Sequence, residues 1–156
     1  MNITDCLSED LVITGFNPAG KSETIDMMVD HLVAVKRISP DRRGLLISKL
    51  MERESLSSTG IGGGVAIPHA SGENIDSMLI VLGLAPGGVD FDAMDGQPVK
   101  IIFLIVGSER APKAHLQLLA TIVRACRNGD LIASLLSAPD AKSAYASLCS
   151  YEKIVA

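Results

Sequence analysis

Two uninterrupted apolar runs constrain this chain most: MLIVLGLA from Met78 to Ala85 and IIFLIV from Ile101 to Val106. Neither alternates with polar residues, so neither suits a strand with one face in water; each reads as a strand covered on both sides. Helical cover is present. Ile25, Met28, Leu32 and Val35 recur at helical spacing after Ser22. A second helix is signalled by Ser39 as N-cap and Pro40 at its first position; it turns Leu46 and Leu50 inward and ends near Arg53 or Glu54. A third runs from about Ala114 to Arg127, and Asp130 and Asp140 read as N-caps of later helices. Leu11 to Thr14 is a weak strand, and Val65 to Ile67 a short one closed by Pro68-His69. Buried strands flanked by helices make the chain α/β, with a largely buried central sheet whose strand order the sequence does not give.

At 156 residues the chain is of single-domain size. Its formal net charge of -4 argues against a nucleic-acid footprint, which needs a basic face. Three Phe, two Tyr and no Trp leave little material for stacking platforms. Cys6, Cys126 and Cys149 form no CxxC pair and fit a reducing compartment. The apolar runs fall short of the ~20 residues that span a bilayer, and MNITDCLSED has no signal-peptide pattern. These features predict a cytoplasmic protein with no membrane insertion.

The chemistry concentrates around SSTGIGGG, Ser57 to Gly64. Such glycine density is expected to form neither helix nor strand. Gly60, Gly62, Gly63 and Gly64 leave backbone amides uncovered, as phosphate oxygens require, and Ser58 and Thr59 add hydroxyls. Pro68 then presents His69 from a restricted backbone. His115 opens the third helix on the side of Leu119, Ile122 and Cys126, facing the sheet, in a first turn that favours anions. Arg53 supplies a permanent charge able to fork two hydrogen bonds onto one phosphate. Each residue alone has a plainer reading: an exposed histidine, a core-edge histidine held by a carbonyl, a helix-terminal cation. Their combination raises the signal. His31, off its helix's apolar stripe, reads as a solvated surface residue.

RESLSSTGIGGGVAIPHA, Arg53 to Ala70, resembles the phosphorylation-site signature of enzyme IIA proteins of the mannitol, fructose and nitrogen-regulatory type, from the bacterial phosphoenolpyruvate-dependent phosphotransferase system. HLQLLATIV, His115 to Val123, resembles that family's second histidine segment, and DFDAMDGQPVKIIFLI its intervening loop and strand. The resemblance implies one enzyme IIA domain over residues 1–156, with a mixed sheet and helices on both faces. It implies that His69 is the phosphoacceptor, that His115 binds the phosphoryl group without being phosphorylated, and that Arg53 is the site arginine. The implied donor is HPr or its nitrogen-branch counterpart; the acceptor is an enzyme IIB or a regulated target protein. Neither a metal nor a cofactor is called for. Chain length and the DFDAMDGQPV loop favour the nitrogen-regulatory branch.

A competing motif precedes all this. GFNPAGKS, Gly15 to Ser22, matches GxxxxGK[ST], in which Lys21 would reach nucleotide phosphates and Ser22 would hold magnesium. Its leading strand is weak and no apolar strand ends in a Walker-B aspartate, so Lys21 and Ser22 read instead as a helix start with Ser22 as N-cap. Asp90, Asp92 and Asp95 hint at an EF-hand, but Met94 and Ile101 occupy ligand positions. Three functions stay open: a phosphoryl carrier in sugar uptake, a phosphorylation-switched regulator and a P-loop nucleotide protein.

Overall fold

The computed structural model describes every residue except Asn74. The two apolar runs form the middle of the sheet. β5 (Leu79–Val89) and β6 (Val99–Ser108) pair antiparallel, with Ile80 opposite Ile105 and Leu82 opposite Phe103, all four fully buried. Both outrun their apolar segments because Val89 still pairs with Val99. β1 (Val12–Ile13) lies parallel to β5 on one side. On the other, β3 (Val65–Ala66) and β4 (His69–Gly72) both run parallel to β6. Val65 pairs with Ile101 and His69 with Ile105, so the chain follows β6 in constant register past Ile67 and Pro68. β2 (Gly60–Gly62) closes the sheet antiparallel to β3. The sheet is therefore mixed.

β2 corrects the expectation that the glycine segment forms no strand. Gly60 pairs with Ala66 and Gly62 with Val65 in a shifted register, so pairing compensates for poor intrinsic propensity. β4 is a second correction: the strand resumes after Pro68, where the sequence reading closes it.

The helices are α1 (Lys21–Ala34), α2 (Arg43–Leu56), α3 (Pro112–Ala125), α4 (Gly129–Ser137) and α5 (Ala141–Val155). Register shows that they cover both faces. A Cβ on Gly83 of β5 would lie 3.1 Å from the Phe16 ring and 3.2 Å from the Met28 methyl, so α1 packs against that face. Gly83 pairs with Ile102, and Gly107 of β6, an odd number of residues further on, must face the opposite side. There the His115 ring of α3 covers it.

Three caps differ from expectation. Gly20 precedes α1, leaving Ser22 inside the helix; Ser39-Pro40 opens a 3-10 turn, Pro40–Arg42, ahead of α2; Asn128, not Asp130, accepts the Leu131 amide at α4. Asp140 caps α5 as expected, accepting the Ser143 amide. Chain termini meet through buried Glu152, whose carboxylate accepts the Ile3 and Thr4 amides and the Thr4 hydroxyl.

Candidate functional site

Strand periodicity places His69 and Ser71 on one face of β4, opposite Ile105 and Gly107 of β6. Gly107 has no side chain, so the first turn of α3 can lay the His115 ring on the strand; a Cβ there would sit 2.8 Å from His115 Nδ1. That seat brings His115 Nδ1 to 3.2 Å from Ser71 Oγ. The His69 and His115 rings meet edge to face, with centroids 5.5 Å apart. Around them opens a concavity of about 370 Å³, walled by His69, Ser71, Ser108, Glu109, Pro112 and His115 among others.

The hydrogen bonds assign chemistry to the ring nitrogens. His69 Nδ1 lies 2.9 Å from the Ile67 carbonyl oxygen. A carbonyl only accepts, so Nδ1 carries a hydrogen, and in the neutral ring the lone pair is on Nε2. His115 is buried, and burial together with the neighbouring His69 holds its pKa below the ordinary 6.5. Its ring is neutral near pH 7. His115 Nε2 is a buried nitrogen with no hydrogen-bond partner among the described residues. A buried polar atom left unpaired costs ~1–3 kcal/mol, a penalty that an anionic oxygen reaching a protonated Nε2 would remove. In the tautomer in which the Ser71 hydroxyl donates to Nδ1, Nε2 bears the proton and acts as donor.

The glycine turn sits elsewhere. Gly62, Gly63 and Gly64 have φ of 93°, 66° and 80°, a left-handed tip that other residues adopt only with strain. Val65 is already four residues of extended chain from His69, or ~13 Å, so the tip amides do not face that imidazole. Several donors of the turn are engaged within the protein. Gly63 N–H donates to Asp95 Oδ2 at 3.0 Å, Gly60 N–H to Ser58 Oγ at 3.0 Å and Ser58 Oγ to the Phe91 carbonyl. The Thr59 amide and hydroxyl both donate to the Glu54 carboxylate. Gly60 is required by close approach, since a Cβ there would lie 2.8 Å from that of Ala93. Arg53, half-buried at the end of α2, donates to the Ser57 carbonyl at 2.9 Å and does not wall the concavity. Of the sequence candidates, the structure unites His69 and His115.

The family model for the phosphoenolpyruvate-dependent sugar phosphotransferase system, EIIA 2, matches residues 5–150. The chain belongs to this enzyme IIA family. It is 31% identical over 149 residues to the nitrogen regulatory protein of Bradyrhizobium diazoefficiens, covering 95% of each chain. It is 34% identical over 121 residues to the PTS system fructose-specific EIIA component of Haloferax volcanii, covering 78% of this chain and 77% of that protein. The crystal structure of nitrogen regulatory protein IIA-Ntr from Neisseria meningitidis superimposes with a TM-score of 0.84 at 27% identity, covering 94% of this chain and 98% of that one. The likeness to nitrogen-regulatory and sugar-specific members alike supports a phosphoryl-carrier role.

In this enzyme IIA the GFNPAGKS segment has its own structural use. Lys21 Nζ lies 3.2 Å from a Glu54 carboxylate that is nearly inaccessible, 3.6 Å from Asp92 and 5.6 Å from the centroid of the Phe91 ring. The Ala19 amide donates to Glu23. The lysine that would neutralise nucleotide phosphates instead neutralises a buried glutamate. His31 is also corrected: its Nε2 contacts the Asp10 carbonyl at 2.7 Å, and the residue is half-buried.

Four polar residues at or beside the concavity went unread in sequence: Ser71, Ser108, Glu109 and Lys49. Ser71 would have been found by extending the strand past Pro68 and taking the next residue on the face of His69. Lys49 lies one helical turn before Arg53, and its Nζ contacts both Glu109 Oε1 at 3.0 Å and the Ser71 carbonyl at 3.1 Å. Ser108 and Glu109 carried no local signal. Among the described residues no cluster of three or more metal-ligating side chains forms, and no helix is long and apolar enough to cross a membrane.

Proposed function

We propose that His69 accepts a phosphoryl group on Nε2 from the phosphohistidine of HPr or its nitrogen-branch counterpart. The observation that carries this is the pairing of an imidazole whose Nδ1 is tied to a carbonyl with a neighbouring one whose Nε2 is buried and unpartnered. In the transfer, the His69 Nε2 lone pair forms a new P–N bond as the donor's P–N bond breaks. The departing electron pair stays on the donor imidazole, and the hydrogen stays on His69 Nδ1, donated to the Ile67 carbonyl. No metal is called for: phosphoryl transfer depends mainly on positioning and on neutralising charge. His115 donates from Nε2 to a phosphoryl oxygen. Arg53 contributes its fixed charge by releasing the Ser57 carbonyl.

On this reading residues 1–156 act as one cytoplasmic enzyme IIA domain. The nitrogen-regulatory assignment is favoured by the near-complete coverage of the Bradyrhizobium relative. The phosphorylation state then governs binding to regulated proteins. The fructose-specific relative favours a second reading, in which the group passes to a separate enzyme IIB. The test is incubation with phosphoenolpyruvate, enzyme I and HPr, followed by measurement of acid-labile phosphate. His69→Ala abolishes labelling and His115→Ala slows it; undiminished labelling of His69→Ala would defeat the assignment.

A further inference from the structure

Lys49 projects from α2 to two residues that wall the His69–His115 concavity: its ammonium is shared by the Ser71 carbonyl and the Glu109 carboxylate. Ser71 holds His115 Nδ1 through its hydroxyl, so one residue links the cation to the second imidazole. Glu109 is itself part of the wall. A phosphoryl group on His69 would bring about 1.5 to 2 negative charges beside that carboxylate. The two anions then compete for one ammonium. The Lys49 and Glu109 side chains are 31% and 44% exposed, and such a solvated pair is weak enough to exchange partners. A lysine stem has the rotational freedom to make that exchange while keeping its contact with the strand.

Building on the assignment of His69 as acceptor, we propose that Lys49 is an additional phosphoryl-binding residue, held in reserve by Glu109 in the dephosphorylated protein. On phosphorylation Nζ leaves Glu109 for a phosphoryl oxygen and keeps the Ser71 carbonyl. Glu109, now unpaired, opposes the phosphorylated state by repulsion. Lys49 and Glu109 therefore set the phosphoryl-transfer equilibrium in opposite directions, and the Lys49 effect is the larger because its ammonium bonds a phosphoryl oxygen directly.

The experiment is phosphoryl exchange between phospho-HPr and the full chain at fixed donor ratio, read as the equilibrium fraction of chain carrying label. Lys49→Met lowers the exchange constant by ~10-fold, the loss of one charge contact in a partly solvated site. Glu109→Gln raises it about three-fold, and Lys49→Arg stays close to wild type, because the charge is retained. Shifts of Lys49→Met and Glu109→Gln in the same direction, or no shift in either, overturn the proposal. Glu109→Gln is a surface change that leaves the fold intact, so it decides the question even where Lys49→Met is destabilised. Absence of label on His69 in the wild-type chain would instead strike the underlying assignment.

Discussion

Two segments of this chain carry a phosphate-binding vocabulary, and they have opposite fates. At one end of α1, Lys21 is spent on Glu54 and Asp92, and the Ala19 amide on Glu23. At the first turn of α3, His115 Nε2 is buried with nothing to bond, beside an imidazole whose own Nε2 lone pair is unused. A motif says which donors are present; whether they remain uncommitted after folding decides whether they meet a ligand. The glycine turn belongs with Lys21, since the donors of Ser58, Thr59, Gly60 and Gly63 are all taken up by the protein itself.

The contrast can be broken at either end. Lys21→Met should produce the largest stability loss, about 3 kcal/mol, because it leaves the Glu54 carboxylate buried without its cation. Denaturant unfolding measures it. Titration of the wild-type chain with magnesium-ATP should show no micromolar binding; such binding, lost in Lys21→Ala, would reinstate the P-loop.

Paired glycine substitutions sharpen the comparison. Gly107→Ala and Gly83→Ala each push a side chain into a packed neighbour, and each should cost ~1–3 kcal/mol. Only Gly107→Ala displaces His115, so only it should slow phosphoryl transfer, by about ten-fold, equivalent to ~1.4 kcal/mol of barrier. Equal slowing in both variants would mean that the seat of His115 on β6 has no special part in transfer.

The smallest effect is a pH dependence. The folded-state pKa of His115 is depressed, so the unfolded chain binds more protons in the window just below 6.5. Stability therefore falls as pH drops from 6.5 toward the depressed value and levels off beneath it. His115→Asn should flatten that slope, as read by urea midpoints across the window. An unchanged slope would show that His115 is not the proton-linked group.

The α/β class was legible because MLIVLGLA and IIFLIV read as doubly covered strands among amphipathic helices, and they do form the sheet's centre. His69 and His115 were legible because each sits beside a strong local marker, a proline and a helix start. The rest of the site depends on register. Ser71 meets His115 only because β4 pairs with β6 so that Ser71 lies beside Gly107, a contact between residues 44 positions apart. Lys49 and Glu109 are 60 positions apart and share no local pattern. The surroundings of the glycine turn were hidden for a related reason: Asp95, Ala93 and the Phe91 carbonyl meet it from a loop distant in sequence, and Gly62 to Gly64 take left-handed φ values.

Nitrogen-15 NMR of the phosphorylated full chain, labelled in its histidines, tests the central claim most directly. The account predicts a P–N bond at Nε2 of the residue 69 imidazole, with Nδ1 still protonated and the residue 115 ring unmodified. Phosphate on Nδ1 of that ring, or on the imidazole of residue 115, would contradict it.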